Sequence, residues 1–249
     1  MRIFLFAKRN IKEILRDPIN LFFSIGFPVV LLVLLSIINS AMPLEAKNTM
    51  FEVNNLAPGL AMFGSVFMAL FAGMLLSKDR TSSFLMRLFT SPMTATDFIL
   101  GYTLPMIILT LLQATITLLL AAAFGLKINI FILFAIFMTA LTSLLFIGTG
   151  LFFGSILSDK AVSGVCGALL TNIAGWLSGV FIPVDIVGGA FKTITHILPF
   201  YHSVEAIKIS LSGNFNNLLP HLLVVLIYTV VIFIFAIIAF DRKMNGEKV

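Results

Sequence analysis

The sequence predicts an all-α, polytopic membrane protein with six transmembrane helices, an amphipathic helix ahead of the first and a hairpin of short helices before the last. The 249 residues are 59% hydrophobic and only 11% charged, whereas soluble domains carry about 25% charged residues, and the mean hydropathy is +1.10. Bilayer hydrocarbon is about 30 Å thick, so a helix rising about 1.5 Å per residue needs roughly 20 apolar residues to cross it. Six segments meet that need: 21–39, 57–76, 98–124, 130–157, 161–182 and 218–240. Their apolar runs are unbroken instead of alternating with period two, which selects helices over barrel strands.

Taken in order, residues 3–16 form an amphipathic surface helix. Ile3, Phe4, Ala7, Ile11, Ile14 and Leu15 share an arc that faces lipid, and Lys8, Arg9, Lys12 and Arg16 occupy the adjoining one. Pro18 ends this helix and frees the chain to turn into the first span. That span is expected to kink at Gly26 and Pro28. A polar loop with Glu45, Lys47 and Glu52 leads to the second span, which contains Gly59, Gly64 and Gly73. Next comes a cationic break, SKDRTSSFLMRLFTSPMTATD. Within it, residues 82–90 read as a short surface helix with Phe84, Leu85, Leu88 and Phe89 on one side and Ser82, Ser83, Arg87 and Thr90 on the other. Pro92 stops it, and Thr94 with Asp97 has capping-box spacing for the third span.

Short links at 125–129 and 158–160 make the third, fourth and fifth spans consecutive antiparallel neighbours. Gly150 with Gly154, and Gly175 with Gly179, have the small-xxx-small spacing that lets helix backbones approach, and packing within one subunit is the expected use. Residues 183–217 are too irregular to span and read as an outer hairpin, with a helix from Phe200 to Ser212 closed by Gly213. The whole chain is one membrane domain, 1–249.

Charge sets the expected orientation. With both termini in the cytoplasm, inner segments hold Arg2, Lys8, Arg9, Lys12, Arg16, Lys78, Arg80, Arg87, Lys160, Arg242, Lys243 and Lys248, while outer segments hold Lys47, Lys127, Lys192 and Lys208. The positive-inside rule favours this multi-pass topology in the cell membrane. The net charge of +5 then marks a rim beside anionic lipid, with no nucleic-acid partner expected. The fifth span holds the lone Cys166, which leaves no disulfide framework within the chain.

The sequence lacks the G-x-x-x-x-G-K-[ST] loop that cradles nucleotide phosphate, and it lacks G-x-S-x-G, H-E-x-x-H and C-x-x-C. No catalytic residue, metal site or cofactor is expected in this chain. His196, His202 and His221 read as interfacial polar residues, and His202 with Glu205 one turn on is a weak metal signal. No span interior carries Asp, Glu, Lys, Arg or His, which disfavours an ion-coupled carrier. The neutral polar residues within spans are Ser65, Gln113, Thr115, Thr142, Ser143, Asn172 and Ser178. Of these, Gln113, Thr142, Asn172 and Ser178 are the candidates for lining a pathway, with hydrogen bonding between helices as the alternative.

The start RIFLFAKRNIKEILRDP, the inner segment KDRTSSFLMRLFTSPMTATDFILGY and the late segment LSGVFIPVDIVGGAFKTITHILPFYHSVEAIK together resemble the permease, or type-2 membrane subunit, of ATP-binding-cassette (ABC) exporters. The late segment is the most specific, with a small-residue run at 177–179, Pro183 and then Pro199. The resemblance implies two permease subunits, identical or paralogous, around a pathway, and two cytoplasmic ATPase subunits that bind the ATP and Mg. It further implies that 82–90 is the coupling helix seated in the ATPase and that 3–16 is the interface helix beside it. Docking contacts then fall to Arg80, Phe84, Arg87, Lys8, Arg9 and Lys12. The family often carries an acid and a Gly just before the coupling helix; here Asp79 takes the place of the acid and the Gly is missing. The implied function is ATP-driven export of a hydrophobic or amphipathic substrate, such as a drug or antimicrobial compound or peptide. Export of lipid or lipid-linked glycan is the alternative within the family, and a stand-alone channel or secondary carrier is the alternative outside it.

Overall fold

The computed structural model describes residues 2–43, 51–182 and 184–246. Glu45 and Lys47 of the predicted loop, Pro183 and Lys248 lie outside them. All regular structure among the described residues is helical. The amphipathic first helix, α1 (Arg2–Leu15), ends before Asp17, whose carboxylate accepts from the Asn20 amide at 3.1 Å and caps the next helix, with Pro18 at its first position. This second helix, α2 (Pro18–Ala41), opens with an α-helical turn over Pro18–Leu21 and passes into a π-helical turn over Phe22–Gly26, two residues before Pro28. The ladder adjusts there because Pro28 cannot donate to it.

The centre of the molecule is α3 (Val53–Thr81), in which nearly every residue from Leu56 to Ala72 is buried. After it come the short α4 (Ser83–Leu88), then α5 (Ala95–Ala123) and α6 (Phe131–Ile156). The Thr94–Asp97 capping box forms at the start of α5, with the Asp97 amide donating to Thr94 Oγ1 at 3.3 Å and the Thr94 amide donating to Asp97 Oδ2 at 2.9 Å. Gly125, at φ +106°, reverses the chain between α5 and α6. Packing of α6 on α3 is backbone to backbone. A Cβ on Gly150 would collide with the Ala69 carbonyl, and one on Gly154 would stand 2.6 Å from the Gly73 carbonyl. Those glycines therefore serve packing within the chain.

Among the described residues, five helices are long and apolar enough to cross a membrane: α2, α3, α5, α6 and the last helix, α11 (Phe215–Gly246). The predicted fifth span, 161–182, is a helical run over 159–177, here α7, built from Asp159–Val162, a π-helical stretch Ser163–Leu170 and Thr171–Leu177. It stops short of Ile182 because the chain turns at Gly179, at φ +80°. At about 1.5 Å per residue it is roughly 28 Å long, and it is not among the five. Predicted span boundaries also move elsewhere: α3 runs to Thr81 instead of stopping at 76, which carries Lys78, Asp79 and Arg80 into regular helix.

The segment after α7 forms α8 (Val184–Val187), α9 (Gly189–Ile197) and α10 (Pro199–Ser212), the last ended by Gly213 at φ +76°. Its buried stripe, with Ser203, Val204, Ala206, Ile207 and Ser210, packs α10 against α3, α6 and α11. Tyr228 of α11 donates to the Ile197 carbonyl at 3.2 Å and ties this hairpin to the last helix.

Candidate functional site

At the end of the bundle opposite the hairpin, α1 and α4 lie side by side across the ends of α3 and α5. Ser82 shapes α4: its hydroxyl accepts from the Phe84 amide at 3.3 Å and donates to the Asp79 carbonyl at 2.7 Å, locking the short helix to the end of α3. The predicted apolar side of α4 turns inward. Leu85 and Phe89 are buried, and Phe89 meets Phe98 of α5 and Phe240 of α11 at ring separations of 5.9 and 6.0 Å. Burying two such side chains contributes roughly 1.5–3 kcal/mol each, so α4 is seated on the bundle.

The helix-to-helix link at this end is polar. Both guanidinium nitrogens of Arg9 donate to the buried carboxylate of Asp79, the second at 2.8 Å, and Tyr102 of α5 donates to the same carboxylate at 2.9 Å. Burial works against the Arg9 charge, but the hydrogen bonds and charge of Asp79 outweigh it and hold its protonation above the ordinary range. Next to it, Asn10 donates to the Gly101 carbonyl at 3.1 Å and accepts from Arg9 at 3.0 Å. A Cβ on Gly101 would collide with the Phe6 ring, so this glycine admits Phe6 against Phe98 and Tyr102, at 5.4 and 5.0 Å. Finally, Arg9 stands 4.2 Å over the ring of Phe84. One side-chain group thus joins α1, α3, α4 and α5.

A groove of about 410 Å³ opens between α1 and α4, lined by Arg2, Leu5, Phe6, Arg9, Phe84, Leu88 and the turn Ser91–Met93. The predicted docking residues divide around it. Lys8, Lys12 and Arg87 are exposed. Phe84 is half-buried in the groove wall, stacked 6.4 Å from Phe6. Arg9 and Arg80 are half-buried, and each is engaged within the chain, Arg9 by Asp79 at the groove wall. Arg80 donates to the Ser155 carbonyl and, at 2.7 Å, to the Leu157 carbonyl, because the last carbonyls of α6 have no helical partner. The face of α1 is corrected: Phe6, Ala7, Asn10 and Ile14 pack inward while Phe4 and Leu15 are exposed, so protein contact displaces part of the arc assigned to lipid. Asn10, Tyr102 and the role of Gly101 are not signalled in the sequence; Asp79, an acid between Lys78 and Arg80, is the residue of this group that its pattern marks.

The four pathway candidates do not converge. Gln113 is buried against Gly64, where a Cβ would collide with its amide, and donates to Thr117 at 3.1 Å while its Oε1 has no hydrogen-bond partner. Buried Thr142 donates to the Thr139 carbonyl and buried Ser178 to the Gly175 carbonyl, each at 3.2 Å. These three bond within the core of this chain. Asn172 is the exposed one, on a face of α7 with Leu169 and Trp176, and bonds back to the Ala168 carbonyl at 2.8 Å.

The histidines gather at the hairpin end. His202 Nδ1 lies 2.8 Å from His221 Nδ1, and His202 Nε2 lies 2.9 Å from the His196 carbonyl. Glu205 pairs instead with Lys208 at 3.7 Å, so the His202–Glu205 couple does not form. A family model, the ABC-2 type transporter, matches residues 1–212. No curated protein matches the chain.

Proposed function

Since the chain belongs to the ABC-2 type transporter family, as a multi-pass membrane transport subunit, we propose that it is the permease of an exporter driven by two copies of a separate ATPase, with its α1–α4 end in the cytoplasm. The observation that carries the docking assignment is the Arg9–Asp79–Tyr102 group, which makes α1, α4 and the ends of α3 and α5 one mechanical unit. A force applied to α4 is passed through Ser82 and Asp79 to α3, the most buried helix of the bundle. ATP binding would close the ATPase pair, move this unit and bias the permease between two states.

In this reading Arg87, Lys8 and Lys12 are the exposed cations that meet an acidic rim of the ATPase, and Phe84 with the groove beside it takes an apolar contact. ATP and Mg belong to the partner. The pathway forms with a second permease subunit, and the exposed apolar face of α7 around Asn172 is its proposed wall. Such a wall favours hydrophobic or amphipathic cargo, including drugs and antimicrobial compounds, moved outward. Arg87→Glu is expected to insert normally, to lose ATPase co-purification and to abolish dye efflux from cells; co-purification and efflux equal to wild type would refute the docking face.

A further inference from the structure

Beside the docking end, α6 and α11 leave a lipid-facing groove unused by the proposed function. The two helices are close where a Cβ on Gly148 would stand 2.9 Å from Phe233. Further along, Phe152 and Phe235 bridge them at 6.4 Å. Between that bridge and the end of α6 lies a cavity of about 430 Å³, walled by Ser155, Ile156, Ile238 and Ala239 and rimmed by Arg242 and Lys243. We propose that this groove binds one anionic phospholipid, with an acyl chain on the apolar wall and the phosphate on Arg242 and Lys243.

Charge complementarity selects the occupant. The carboxyl end of a helix carries partial negative charge and would repel a phosphate. Here Arg80 donates to the Ser155 and Leu157 carbonyls at the end of α6 and covers that charge from behind. Arg242 and Lys243, both exposed on the last turns of α11, then add two positive charges at the open rim. Among the described residues of this stretch the acid is Asp241, which accepts from Asn245 at 3.1 Å. A basic rim over an apolar groove between membrane helices is the arrangement that holds an anionic headgroup with its chain. Phosphatidylcholine brings the same phosphate, but its choline cation offsets that charge beside Arg242 and Lys243, whereas an anionic headgroup keeps its net charge. Next to the groove residue Ala239, the buried Phe240 packs against Phe89, just after α4, and Phe98 of α5.

The test is native mass spectrometry of the whole permease taken from vesicles of equal parts phosphatidylcholine and phosphatidylglycerol. Those vesicles are symmetric and need neither ATPase nor transport, so the result stands apart from the proposed orientation and drive. Wild type should retain phosphatidylglycerol over phosphatidylcholine. Arg242→Gln with Lys243→Gln should cut that preference about tenfold or more, and Ala239→Trp, which fills the groove but keeps both charges, should cut it similarly. Lys8→Gln with Lys12→Gln, on the same end, should leave it unchanged. The proposal is overturned if either groove variant retains the lipid as wild type does, if the Lys8 and Lys12 control loses it equally, or if free glycerol phosphate displaces it. Spontaneous disulfide dimers of Ile156→Cys in these vesicles would place a second copy there instead and would also overturn it.

Discussion

Asp79 decides how α1 is held. Its carboxylate is buried and receives Arg9 and Tyr102 together, so removing its charge strands a half-buried guanidinium. Breaking a buried ion pair by deleting one partner costs about 3–5 kcal/mol, and the 31% exposure of the Arg9 side chain lowers that here. Asp79→Asn should therefore destabilise the permease by about 2–3 kcal/mol, read as a lower melting temperature in detergent. Arg9→Gln combined with Asp79→Asn should recover most of the loss, since no unpaired charge remains. Strictly additive losses in the double variant would show that the two groups act separately.

Among the elements, α3 and α6 depend on glycine for their approach, and the expected cost of ending it is steep. Gly150→Ala puts a methyl group on the Ala69 carbonyl, against backbone that cannot rotate away. Overpacking of this kind costs about 1–3 kcal/mol, so the variant should yield less folded protein and melt earlier. Gly164→Ala, on the open face of α7, should behave as wild type; equal behaviour of both variants would refute the tight contact. This interface was legible in advance, because the spacing of Gly150 and Gly154 announces a small-residue seam. So were the Thr94–Asp97 box, the αL end of α10 at Gly213 and the two-sided pattern of α4, each written in adjacent residues. What could not be read was which partner each face would choose. Phe6 enters beside Gly101 and Arg80 reaches Ser155 across 75 positions of sequence, and periodicity carries no information about such pairings. Gln113 was singled out for its cost in lipid, yet whether a buried amide meets a pathway or a neighbouring helix depends on tertiary packing, here on the space left by Gly64.

At the level of the whole molecule, α1 and α4 are fastened to the ends of α3 and α5, while the hairpin α8–α10 closes the opposite end against α3, α6 and α11. A bundle built this way has a handle at one end and a cap at the other, joined by α3. The polytopic helical class was written in composition and run length, whereas the break of α7 into α and π segments was not, because its mixed apolar and small residues look like any other span. The account requires that an ATP-hydrolysing subunit grips the α4 end. The direct test is a photo-cross-linking residue at Arg87, with a control at Ile128, which is exposed in the link between α5 and α6, followed by mass identification of the adduct in native membranes. The account predicts a covalent adduct from position 87, and none from 128, to a subunit carrying a phosphate-binding ATPase loop. Adducts from 87 only to lipid or to other membrane proteins, or an ATPase adduct from 128, would contradict it.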